Sequence, residues 1–94
     1  MPRLCHAILY DADDKGRETL AYGFEVDGLK VTATGRADEF ERALMGAPVE
    51  AAIVVLRDDD DQAIPLLQAL AERPQTPRLP RLVLADAEIG RAHV

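Results

Sequence analysis

Three apolar runs, residues 4–10 (LCHAILY), 51–56 (AAIVVL) and 82–85 (LVLA), each give way abruptly to charge. Runs of this length without alternation predict strands buried on both faces. Between the first two the period changes. Leu20 and Phe24 stand four apart, as do Glu18 and Tyr22, so residues 15–26 predict a helix capped by Asp14. Gly16 and Gly23 weaken that helix, and Asp27-Gly28 stops it. Residues 29–34 (LKVTAT) alternate and predict a second strand, broken by Gly35. Residues 37–45 set Phe40 and Leu44 on one face of a short helix, ended by Gly46 and Pro48. After the third strand come Arg57 and four aspartates, Asp58 to Asp61. Ile64, Leu67 and Leu70, with Leu66, then describe a helix face, and Pro65 fits only its first turn. Three prolines in residues 73–80 predict a loop. The sequence predicts Asp86 as a cap and the start of a last helix within residues 87–93.

The order is β-α-β-α-β-α-β-α. Such alternation implies a parallel sheet with helices on both faces, and ligands in such sheets sit beyond the carboxyl ends of the strands. Those ends carry Asp11 and Asp13, Arg57 and Asp58, and Ala85 and Asp86.

With 94 residues the chain allows one domain. Seventeen acids against eleven bases give a net charge of −6, the wrong sign for a strong nucleic-acid or anionic-membrane binder. One cysteine excludes an intrachain disulfide and a cysteine-based zinc cluster. No apolar run approaches a bilayer span, and no signal core is evident, so the expected compartment is the cytoplasm.

Three segments together resemble the receiver domain of response regulators. Residues 7–20 (AILYDADDKGRETL) are similar to the first strand, acidic pair and opening helix. Residues 51–70 resemble the third strand and helix, with about two residues missing between them. Residues 76–87 (TPRLPRLVLADA) resemble the proline-preceded fourth strand and its switch position. The resemblance implies a flavodoxin-like, three-layer α/β fold of about four βα units, with strand order 2-1-3-4 and the fifth strand and helix missing. The whole of residues 1–94 is then a single receiver-like domain, incomplete or the front of a longer protein.

A working receiver phosphorylates an aspartate at the end of the third strand, beside magnesium held by acids. Here Asp11 matches the first acid, but Ala12 stands at the second, with Asp13 as a partial replacement. Arg57 falls at the phosphoacceptor position, Ala85 replaces the switch hydroxyl, and the lysine of the fifth strand is absent. Arginine offers no nucleophilic carboxylate and stays protonated. The resemblance thus implies a non-phosphorylated pseudo-receiver, a protein–protein interaction module without cofactor, in which Arg57 pairs with Asp11 or Asp13 in the space of the metal. The alternative is a divergent receiver phosphorylated on Asp58, with magnesium held by Asp11 and Asp13. Loss of the fifth strand exposes Leu82, Val83 and Leu84 on an edge, which implies pairing with a second copy. Residues 86–94, or the uncovered side of the first and third strands, are the other surfaces for that contact.

Other chemistry is sparse. Asp58 to Asp61 read as a solvated loop against a helix dipole rather than a metal site. Asp11, Asp13 and Asp14 suit either a weak divalent-cation site or a cap with solvent-facing acids. His6 and His93 lack partners at metal-ligand spacing. Cys5 reads as a small buried residue of the first strand, and its neighbour His6 points to the opposite face. No glycine-rich phosphate loop follows any strand.

Overall fold

A computed structural model describes residues 5–46 and 49–72 in full and the backbone of 81–85. The elements run β1 (His6–Tyr10), α1 (Asp14–Val26), β2 (Lys30–Thr34), α2 (Ala37–Gly46), β3 (Ala51–Leu56), α3 (Ala63–Glu72) and β4 (Arg81–Ala85). All pairings are parallel, and the sheet order is β2-β1-β3-β4. That is the order expected of the flavodoxin-like arrangement. The expected loop at 73–80, the helix start at 87–93 and the Asp86 cap lie outside the described residues, as does Pro48.

The apolar strands divide their side chains by parity, since successive residues face opposite sides of a sheet. Ile8, Tyr10, Ala52 and Val54 join Phe40 of α2 and Ala63, Leu66 and Leu70 of α3 in one buried cluster. Ala7, Leu9, Ile53 and Val55 form a second cluster, against Leu20, Ala21 and Phe24 of α1. Thus β1 and β3 are covered on both faces, as their unbroken hydrophobicity predicts; the uncovered side expected from a missing fifth helix is corrected, since Ala7, Leu9, Ile53 and Val55 are all buried. Leu9 stands opposite Ile53, and Tyr10 opposite Val54. β3 therefore runs two residues past the level of Tyr10, so Asp11 follows β1 at the level of Val55 and Arg57 leaves β3 two residues farther along.

Three local expectations need correction. The β1 ladder begins at His6, so Cys5 lies just outside the strand and is half-buried rather than buried. Asp13, not Asp14, caps α1: its backbone is extended and its Oδ2 accepts from Gly16 N at 2.7 Å. Asp14 is the first helical residue and instead pairs with Arg17 one turn on, at 2.6 Å. In α3 the buried face is Ala63, Leu66 and Leu70, while Ile64 is 52% exposed. The helix starts at Ala63, and its neighbour is turned about 100° from the core direction.

Helix α1 stops as expected. Gly28 takes a positive φ of 97°, open to glycine without steric cost, and its N–H donates to Glu25 O at 3.0 Å. Among the described residues no helix is long and apolar enough to cross a membrane.

Candidate functional site

The carboxyl ends of β1 and β3 bring Asp11 and Arg57 together. Both continue the parity of the α1-facing cluster, Asp11 after Leu9 and Arg57 after Val55, so both aim toward α1. Arg57 Nε donates to Asp11 Oδ1 at 2.6 Å, and Nη2 donates to Oδ2 at 2.8 Å. This is a two-pronged fork, the strongest geometry available to a guanidinium and a carboxylate. Asp11 is fully buried, and the Arg57 side chain is only 20% exposed. A carboxylate so removed from water requires a paired charge, and Arg57 supplies it.

Every polar part of Asp11 is engaged. Its N–H donates to Thr34 O at 3.0 Å, extending the β1–β2 ladder by one bond. Its carbonyl accepts from Arg17 Nη1 at 2.9 Å, and Oδ1 also accepts from Asp13 N at 3.0 Å. Two arginines therefore bracket one aspartate, one on the carboxylate and one on the carbonyl. Each guanidinium lies against a glycine: a Cβ on Gly16 would run into Arg57 Nη2, and one on Gly35 into Arg17 Nη1.

Of the two acids expected as partners for Arg57, Asp11 makes the fork, whereas Asp13 spends its side chain on the α1 cap. Asp13 is exposed. Asp58 and Asp59 are exposed in the turn that follows Arg57, and Asp61 is exposed beyond it. With Ala12, Asp13 and Gln62 they line an open, acidic cleft of about 720 Å³ over the strand ends. Among the described residues no three histidine, cysteine, aspartate or glutamate side chains gather as a metal site would require. Ala85 closes β4 and pairs in register with Leu56, the residue before Arg57. Leu82, Val83 and Leu84 lie on the same strand, whose outer edge has no neighbour in the described sheet.

Asp60 belongs to the acidic run but not to its solvated part. It is half-buried, and its Oδ2 accepts from the hydroxyl of buried Tyr10 at 2.7 Å. Its Oδ1 accepts from Gln62 N at 3.0 Å, just ahead of α3. Gln62 Oε1 in turn accepts from Ala37 N, the first residue of α2, at 3.0 Å. One chain of bonds thus links β1, the loop after β3 and the starts of both helices on that face. Burial, then the Asp60 carboxylate, push the Tyr10 phenol well above the ordinary tyrosine range. No sequence spacing pointed to Tyr10 and Asp60; the only trace was a hydroxyl at the end of an apolar strand.

His6, Glu50 and Cys5 stand at the amino end of the sheet. His6 Nε2 shares a hydrogen bond with Thr32 Oγ1 at 2.9 Å, and the His6 N–H donates to Glu50 Oε1 at 3.2 Å. Burial and then Glu50 raise the Cys5 thiol, which disfavours the reactive thiolate. His93 lies outside the described residues.

No family model and no curated protein matches the sequence. Solved structures do match. The chemotaxis response regulator CheY4 of Vibrio cholerae is 14% identical with a TM-score of 0.76, over 86% of this chain and 68% of that one. A response regulator receiver protein from Pseudomonas putida is 17% identical with a TM-score of 0.76, over 97% and 78%. A sensor protein from Polaromonas sp. JS666 is 21% identical with a TM-score of 0.80, over 99% and 74%. At these identities the likeness is one of architecture, and the chain has the flavodoxin-like fold of receiver domains.

Proposed function

We propose that this chain is a non-phosphorylated pseudo-receiver, a non-enzymatic module for protein–protein contact in bacterial signalling or regulation, working in the cytoplasm. The observation that carries the reading is the Arg57–Asp11 fork. Arg57 stands where a receiver carries its phosphoacceptor, and its guanidinium already satisfies both oxygens of the acid that would hold a metal.

The residues present do not fit a resident magnesium ion. Magnesium takes oxygen ligands in near-octahedral geometry. Both Asp11 oxygens accept from Arg57, Asp13 Oδ2 accepts from the α1 backbone, and Ala12 offers nothing. A fixed guanidinium adds repulsion toward any incoming cation. The positive charge that a receiver borrows from solution is here part of the chain.

With no phosphoryl switch, output depends on surfaces. The edge of β4 is the surface we assign to a second copy of the chain, because it has no neighbour among the described residues and such an edge is a template for another strand. Concentration-dependent association in sedimentation, lost on Val83→Lys, supports this assignment; a stable monomer at high concentration removes it.

The phosphorylation reading is tested with acetyl phosphate or beryllofluoride plus magnesium, read by intact mass and 19F NMR. No adduct is expected. Labelling at Asp58 would establish the alternative, a divergent phosphoacceptor with Asp11 and Asp13 around magnesium, and would overturn the pseudo-receiver.

A further inference from the structure

Gly16 is the third residue of α1, and glycine inside a helix is unfavourable relative to alanine. Gly23 lies two turns further along the same helix. The two differ in surroundings. A Cβ at Gly23 would meet nothing within 4 Å. A Cβ at Gly16 would run into Arg57 Nη2 and stand 2.8 Å from Asp11 Oδ2 and 3.1 Å from Asp13 Oδ2. The obstructing atom ends a long side chain, but that side chain is not free to swing aside. Its Nε and Nη2 are both held by a fully buried carboxylate.

We propose that Gly16 is a positioning residue whose missing side chain seats the Arg57 guanidinium. Asp11, Gly16 and Arg57 then form one unit that ties the ends of β1 and β3 to the first turn of α1. This deepens the reading that Arg57 fills the site permanently, and it rests on that reading. The seat explains why a guanidinium fits there at all: Nη2 takes the space that a Cβ at position 16 would fill. It also makes the cation a built-in part of the fold, present in every molecule regardless of the ions in solution.

The test compares Gly16→Ala, Gly23→Ala and both again in an Arg57→Ala background, using the full chain and urea unfolding midpoints. In an ordinary helix Gly→Ala raises stability. Gly23→Ala is expected to raise the midpoint. Gly16→Ala is expected to lower it, and to lower it less once Arg57 is Ala, where the closest obstruction is gone and the 2.8 Å approach to Asp11 Oδ2 remains. The Arg57 Nε–H resonance is expected to exchange slowly with solvent in the parent protein and in Gly23→Ala, and to become fast in Gly16→Ala. A raised midpoint with an unchanged Nε–H in Gly16→Ala would overturn the proposal. If Gly16→Ala alone does not fold, the double variant decides: one that folds supports the seat, and one that fails to fold where Arg57→Ala folds overturns it. Phosphodonor labelling of Asp58 would remove the proposed function without altering these signs. The wrong sign at Gly16 would remove the seat and leave the proposed function standing.

Discussion

The Tyr10 hydroxyl donates to Asp60 Oδ2 at 2.7 Å across fifty positions of chain, from a ring with no solvent exposure. The bond fixes the loop after β3 to the end of β1. It lies on the opposite side of the sheet from the Arg57–Asp11 fork, which fixes the same two strand ends toward α1. The turn that begins at Arg57 is therefore held from both faces. Asp60 N also donates to Arg57 O at 3.2 Å, so the two anchors meet in the backbone.

Tyr10→Phe keeps the ring in its cluster and removes the hydroxyl. Asp60 is half-buried and can turn to water, so the loss is expected near the low end for a charged acceptor, about 1.5 kcal/mol. Urea unfolding checks the magnitude. Amide exchange should quicken at Gln62 and Ala37, which are joined to Asp60 through the same chain of bonds. Exchange confined to Asp60 would show that the chain does not act as a unit.

Alkaline pH gives a second reading of the same bond. The Tyr10 phenol is raised in the folded protein, first by burial and then by Asp60. Above about pH 10 the unfolded tyrosine loses its proton while the folded one keeps it. The folded state then binds more protons, so stability falls as pH rises. The contribution is fully present below that pH and is lost as pH climbs toward the folded value. Tyr10→Phe should flatten this alkaline decline. Phenolate absorbance in a Tyr22→Phe background, which leaves Tyr10 as the sole tyrosine, should rise only with unfolding.

Arg57→Met should cost about 3 kcal/mol, because it strands a carboxylate that no water reaches. Asp11→Asn should cost less, since an amide oxygen still accepts from the guanidinium. The double variant Asp11→Leu with Arg57→Met should be more stable than Arg57→Met alone, as a neutral pair leaves no buried charge. Additive losses in that cycle would mean that the two side chains do not act on each other.

Much of the fold was legible because strand burial writes itself as composition. The run at 51–56 is apolar at every position, and β3 is covered on both faces. The Arg57 pairing was also foreseeable, since a cation at one strand end and acids at the next must meet in a parallel sheet. What escaped were matters of single-residue phase and of long-range contact. Asp13 and Asp14 are equally good caps by type; only the backbone shows which one is extended. Ile64 is as apolar as Leu66, and one residue of helical phase sends it to solvent. Asp60 looks like its three neighbours until Tyr10 is folded against it. The Gly16 contact depends on where a guanidinium lies, which spacing along a chain does not encode.

Magnesium should leave the parent protein unchanged. A ligand that binds only the folded state raises its stability by RT ln(1 + [L]/Kd), so a metal without a site moves nothing. Both Asp11 carboxylate oxygens accept from Arg57 Nε and Nη2, and Asp13 Oδ2 accepts from Gly16 N. Arg57→Asp reverses each part of that argument. It removes the resident cation, adds a carboxylate beside buried Asp11, and leaves two like charges in one site. That protein should be strongly destabilised without metal, and millimolar magnesium should restore part of its thermal midpoint. Calcium should restore less, because its larger radius and higher coordination number call for more oxygen ligands than two strand ends provide. Thermal unfolding of both proteins across a magnesium titration is the check. A midpoint that climbs with magnesium in the parent protein would show that Arg57 yields Asp11 to a metal, and the fork would then be a resting state rather than a permanent one.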